Sequence, residues 1–134
     1  MIVLDSSYLV ALHNEGDVHH EAALEVRDRI VAGEWGVALL LEYVFLEVVT
    51  VLRMRLNLDV ALGVGETLLR AREVEFVPSS AGFMKALETF RMERDADLSF
   101  ADAAIVSAAR RESPGYVATF DSDFSGLLGV TVVP

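Results

Sequence analysis

The 134-residue chain contains no cysteine, which excludes a disulfide framework, a thiolate metal site and a cysteine nucleophile. Positive charge is scarce as well. Eleven basic residues stand against twenty-one acidic ones, a net charge of −10, which argues against non-specific binding to a nucleic-acid backbone through bulk charge. A nucleic-acid partner would need cations held at the site or a local arginine patch. Lys85 is the only lysine, and the arginines fall in close pairs such as Arg27/Arg29, Arg53/Arg55, Arg70/Arg72 and Arg110/Arg111, a pattern that suits solvated helix faces. Histidine is limited to His13, His19 and His20, which lie in or near an early loop and read as surface residues rather than ligands. No apolar run is long enough to cross a membrane: the most apolar stretch, Val37 to Leu52, is interrupted by Glu42 and Glu47. The N-terminus runs directly into an apolar segment without a basic region or cleavage site. Together these features predict a soluble, cytoplasmic protein.

What the chain does have is apolar content, 53% of residues with a mean hydropathy of +0.41. That is enough to offset the entropy of ordering, and the length fits a single domain over 1–134. Short apolar runs alternate with helical periodicity. Residues 2–4, Trp35 to Leu39, Val74 to Val77, Tyr116 to Thr119 and Val130 to Val133 are expected to be strands. Helices are expected over Ser7–His13, His19–Val31, Leu41–Leu56, from an N-cap at Asp59 to Arg72, from Ser80, and over Phe100–Arg111. Alternation of this kind implies an α/β fold, a three-layer α/β/α sandwich around a mostly parallel sheet of about five strands.

A few acids sit where an unpaired charge would be costly. Asp5 follows the apolar run Ile2-Val3-Leu4 directly, either as a helix cap or as part of a site beyond the carboxyl end of a parallel sheet. Glu47 is flanked at helical spacing by Tyr43, Val44, Thr50 and Val51, which predicts a carboxylate on a largely apolar face that is protonated, paired or bound to a metal. Glu42, in the first turn of the same helix, is a more distant rival. Asp102 closes the capping-box pattern Ser99-Phe100-Ala101-Asp102 ahead of a small, apolar helix, which predicts a buried helix start. Asp121 and Asp123 follow the fourth strand, one of them available for an Asx-turn. In a parallel sheet Asp5 and Asp121 fall at the same edge. Asp5, Glu47, Asp102 and Asp121 converging there would repel one another without a cation, and an oxygen-only donor set selects Mg²⁺ or Mn²⁺ over zinc.

The order of these motifs resembles a PIN domain over essentially the whole chain: strand-Asp5-Ser6-Ser7, an apolar helix with an internal Glu47, Leu98 to Ala103 opening a helix, and Thr119 to Phe124. In size it is similar to the VapC-like ribonuclease toxins of prokaryotic toxin–antitoxin pairs. The resemblance implies that Asp5, Glu47, Asp102 and Asp121 form a catalytic quartet holding Mg²⁺ or Mn²⁺, with Asp123 an auxiliary acid. It also implies that Ser7 supports the first aspartate and Thr119 the fourth. One departure is Leu41, where relatives often carry serine or threonine. The implied activity is metal-dependent hydrolysis of RNA phosphodiesters, with Arg53, Arg55 or Arg94 contacting the RNA backbone. The implied partners are a small antitoxin protein covering the groove and a second copy in a homodimer; the apolar face of Leu41–Leu56 is one candidate groove. Three alternatives remain: a catalytically silent PIN-like binding or scaffold module, a non-toxin PIN nuclease in RNA processing, and a response-regulator-like receiver domain. The last is disfavoured because Lys85 precedes the final strands.

Overall fold

The computed structural model describes residues 1–134. Five strands, β1 (Ile2–Leu4), β2 (Ala38–Leu41), β3 (Val74–Val77), β4 (Gly115–Ala118) and β5 (Val130–Val133), form one sheet in the order β3-β2-β1-β4-β5. Every pairing is parallel. The helices are α1 (Ser6–His13), α2 (His20–Val31), α3 (Glu42–Arg55), α4 (Leu58–Arg70), α5 (Phe83–Met92) and α6 (Phe100–Ala109), with a single 3₁₀ turn at Ser122–Phe124.

Strand order and the right-handedness of parallel crossovers place the helices. The steps β1→β2→β3 run outward in one direction, so α1 to α4 cover one face; the chain then crosses back to β4, which puts α5 and α6 on the other. The packing agrees: α1 meets α2 and α3, α3 meets α4, and α6 lies against both β1 and β4. The result is the three-layer α/β/α arrangement with a five-stranded sheet. Its winding reverses between β1 and β4, the position at which open α/β sheets leave a crevice beyond the carboxyl ends of the strands.

The two central strands carry the core. Ile2, Val3, Leu4, Val117 and Ala118 are buried, as are all four residues of β2. Continuous apolar strands suit a sheet covered on both sides. The edge strand β3 is only partly covered, leaving Phe76 exposed. In α3, Val44, Val48 and Leu52 recur every four residues and are fully buried, which fixes the rotation of that helix and sets Glu47 one position off its buried stripe.

Several element boundaries differ from the sequence expectation for local reasons. β2 begins at Ala38 rather than Trp35, because Gly36 takes a positive φ of 75° and keeps Trp35 in a turn. Asn57, not Asp59, caps α4: its side-chain oxygen accepts from the Val60 N–H at 2.9 Å. α5 starts at Phe83 instead of Ser80, since residues 79–82 form a turn whose Ser79 N–H is held by the Glu42 carboxylate at 2.8 Å. α4 and α6 each end two residues early, at Arg70 and Ala109, and β4 runs one residue earlier, from Gly115. No helix is long and apolar enough to cross a membrane.

Candidate metal centre at the sheet crevice

β1 and β4 pair in register, Leu4 against Ala118, so the next residues, Asp5 and Thr119, leave the sheet side by side. The Asp5 N–H donates to Ala118 O at 3.0 Å and the Thr119 N–H to Val133 O at 3.0 Å. Both residues are buried, Asp5 with 4% and Thr119 with 1% of its surface exposed. A buried carboxylate needs donors, and Asp5 has them. Its Oδ2 accepts from the Ser7 hydroxyl at 2.5 Å, the Thr119 hydroxyl at 2.7 Å and the Ser7 N–H at 3.2 Å. The last of these makes Asp5 the N-cap of α1. Capping and site-building are therefore the same bond rather than alternatives.

Each hydroxyl has one proton, and both protons point to Asp5. As acceptors, the same two oxygens then receive backbone N–H groups of the loop after β4: Phe120 donates to Ser7 Oγ and Asp121 donates to Thr119 Oγ1, each at 2.9 Å. Ser7 and Thr119 thus tie the loop that carries Asp121 to the carboxylate of Asp5. The other Asp5 oxygen, Oδ1, has only a long 3.5 Å contact from Ser6 Oγ.

Asp121 and Asp102 are each held by one oxygen. Asp121 Oδ1 accepts from the Asp123 N–H at 2.9 Å, the Asx-turn of the pair, and caps the 3₁₀ turn. Asp102 Oδ2 accepts from the Ser99 N–H at 2.8 Å while Ser99 Oγ accepts from the Asp102 N–H at 3.1 Å, a complete capping box. The start of α6 is less buried than expected, with Ser99 exposed and Asp102 half-buried, because the inward packing of the helix begins only at Ala103. Even so, burial raises the Asp102 carboxyl above the ordinary carboxylate range. The hydrogen bonds with Ser99 pull it back, and the charges of Asp5 and Asp121 add to the rise. The three aspartates therefore share one field.

Glu47 corrects the sequence expectation. It is exposed, because the buried stripe of α3 runs through Val44, Val48 and Leu52 and turns Glu47 toward the solvent edge. It lines a cleft of about 280 Å³ together with Ser6, Ser7, Arg55, His19 and Phe120, and it is not among the charges that act on Asp102. Glu42 serves the fold: its bond to Ser79 holds its carboxyl below the ordinary range and ties the start of α3, which has no side-chain cap, to the turn after β3. Asp123 is exposed beside Asp121. A larger cavity of about 600 Å³ near Phe76, Phe83 and Ala104 contains none of these acids apart from the unrelated Glu75.

With the side chains as they stand, no three acids or histidines are drawn together tightly enough to hold a metal ion. The donor chemistry nevertheless suits a hard cation. The donors are all carboxylates, they repel one another, and each of the three aspartates keeps one oxygen outside strong local hydrogen bonds. The stack of His19 on Phe120 has no signal in the sequence, since no motif marks it.

A winding reversal with an aspartate at the end of its first strand and further aspartates across the crevice defines the class. The chain belongs to the PIN domain family, whose model matches residues 2–127. Among solved structures it is similar to VapC20 of Mycobacterium tuberculosis, a sarcin–ricin loop cleaving toxin. The two are 26% identical, the match covers 97% of this chain and 98% of that one, and the TM-score is 0.78. A comparison with curated proteins finds no significant match.

Proposed function

We propose that this chain is a divalent-metal-dependent endoribonuclease and the toxin of a VapBC-type toxin–antitoxin pair. The observation that carries the proposal is the placement of Asp5 and Asp121 after the paired strands β1 and β4, linked through Ser7 and Thr119, with Asp102 at the start of the helix packed on those strands. Membership of the PIN family and the similarity to an RNA-cleaving toxin supply the reaction class.

In this reading Asp5, Glu47, Asp102 and Asp121 hold Mg²⁺ or Mn²⁺, with Asp123 at the rim. Such a cation, when bound, acidifies water and neutralises charge on a phosphoryl group and its leaving oxygen. The protein's own contribution is positioning. Ser7 and Thr119 fix Asp5 and the loop bearing Asp121. A free carboxylate oxygen, that of Asp102 or of Asp121, orients the attacking water and takes its proton. The cation also reconciles a net charge of −10 with an RNA polyanion. The partners are an RNA substrate, a small antitoxin and a second copy of the chain, in the cytoplasm.

In the test, Asp5→Asn and Asp102→Asn each abolish Mn²⁺-dependent cleavage of RNA while circular dichroism remains that of the parent, and chelation silences the parent. Glu47→Gln lowers cleavage and Glu42→Gln does not. Undiminished cleavage by both aspartate variants overturns the assignment. A silent scaffold would instead show no heat on titration with Mn²⁺.

A further inference from the structure

The cleft beside Asp5 has more in it than acids. Ser6 and Ser7, which follow Asp5 in the chain, line it, and the Ser7 hydroxyl donates to the Asp5 carboxylate behind that wall. Along α3, Glu47 and Arg55 lie two turns apart on one stripe and both line it. Arg27, Arg29, Arg70 and Arg110 each pair with an acid, but Arg55 makes no ion pair. Arg53 and Arg94, the other arginines considered for backbone contact, do not line the cleft.

Two aromatic side chains line it as well, His19 and Phe120. The His19 ring lies on the Phe120 ring with centroids 4.4 Å apart and planes within 5°. Phe120 is held from behind, since its N–H donates to Ser7 Oγ, and the His19 N–H is held by Asp17 Oδ1 at 2.9 Å. His19 is exposed, so the ring face away from Phe120 is open. An aromatic surface and an unpaired guanidinium in one small cleft next to a phosphodiester-cleaving centre match the two chemistries of a nucleotide, a flat base and an anionic phosphate.

We propose that this cleft seats the RNA nucleotide flanking the scissile phosphate, with its base stacked on the open face of His19 and its phosphate against Arg55. The proposal rests on the ribonuclease reading above. Because every base has a π-face, the platform supplies affinity and position rather than base identity. Phe120 sits between Thr119 and Asp121, so a base on this platform is placed in register with the acids.

The experiment measures anisotropy of a fluorescein-labelled single-stranded RNA octamer with Mg²⁺ and the cleavage-deficient Asp5→Asn protein, repeated with Asp121→Asn as parent, across a salt series. Added to either parent, His19→Ala weakens binding about fivefold or more, the scale of one lost stack, leaves the salt slope unchanged, and is rescued by His19→Phe. Arg55→Gln weakens binding and lowers the slope of log affinity against log salt by about 0.7, one phosphate contact on a single strand. In the cleaving protein both changes lower kcat/KM, through the lost affinity and the lost register. Parent-like binding by both variants overturns the platform while leaving the ribonuclease reading intact. A loss in His19→Ala that His19→Phe does not restore, accompanied by a lower melting temperature, also overturns it by reducing the stack to a loop contact. RNA that fails to bind either parent and is not cleaved by the wild type overturns both readings.

Discussion

The hydroxyl of Thr119 does more than its single proton suggests, and Thr119→Val tests it. Valine keeps the shape and removes the oxygen at a position with 1% exposure. Two bonds go with it: the donation to Asp5 Oδ2 at 2.7 Å and the acceptance from the Asp121 N–H at 2.9 Å. A hydrogen bond to a charged group contributes about 2 kcal/mol, and a half-buried N–H left without a partner costs about 1 kcal/mol, so the expected loss is about 3 kcal/mol. For a chain of this length that corresponds to a melting temperature lower by about 10 °C. Thr119→Ser keeps the oxygen and loses one buried methyl, worth about 1 kcal/mol. Urea and thermal unfolding at neutral pH should therefore rank the wild type above Ser and Ser above Val, whereas apolar burial alone would place Val above Ser. A valine variant as stable as the serine one would refute the network. Cleavage should follow the same order, because the hydroxyl also orients Asp5.

Two other perturbations follow from the packing. At Gly115, an added Cβ would stand 2.7 Å from the Ala109 carbonyl carbon and 2.8 Å from Gly129 O, both backbone; Gly115→Ala should cost about 2 kcal/mol or more, and an unchanged urea midpoint would contradict the close approach of β4 to the end of α6. Burial, then the charges of His20 and Arg27, holds the His13 imidazole below its ordinary value of 6.5. The unfolded chain therefore takes up a proton that the folded one resists, so the stabilising contribution is complete above that value and is lost as pH falls from it through the lower value of the folded state. His13→Leu should flatten the decline in urea midpoint between about pH 8 and pH 5, and an equally steep decline would assign it to other groups.

Much of this protein was legible in the residues themselves. Apolar runs of three or four residues alternating with helical periodicity specify a parallel α/β sheet, since only strands covered on both faces can be continuously apolar. An aspartate close after such a strand marks a crevice edge: Asp5 follows β1 directly and Asp121 follows β4 after two residues. Ser99 and Asp102 announce their capping box because that device is local, complete within four residues. Other features depended on rotation and on distant neighbours. Glu47 has apolar neighbours in the sequence but lies exposed, because the burial of Val44, Val48 and Leu52 sets the turn of α3, and periodicity alone does not choose between adjacent stripes. Ser7 and Thr119 lie 112 residues apart and share Asp5 only because β1 pairs with β4, a long-range choice. His19 and Phe120 meet for the same reason. The chain by itself determined the alternation of strands and helices, the capping box at Ser99 and Asp102, and which residues carry acid. Tertiary structure alone decided which acids share one field and which aromatic and cationic groups stand beside them, because carboxylate repulsion and ring stacking act through space at distances that only packing sets.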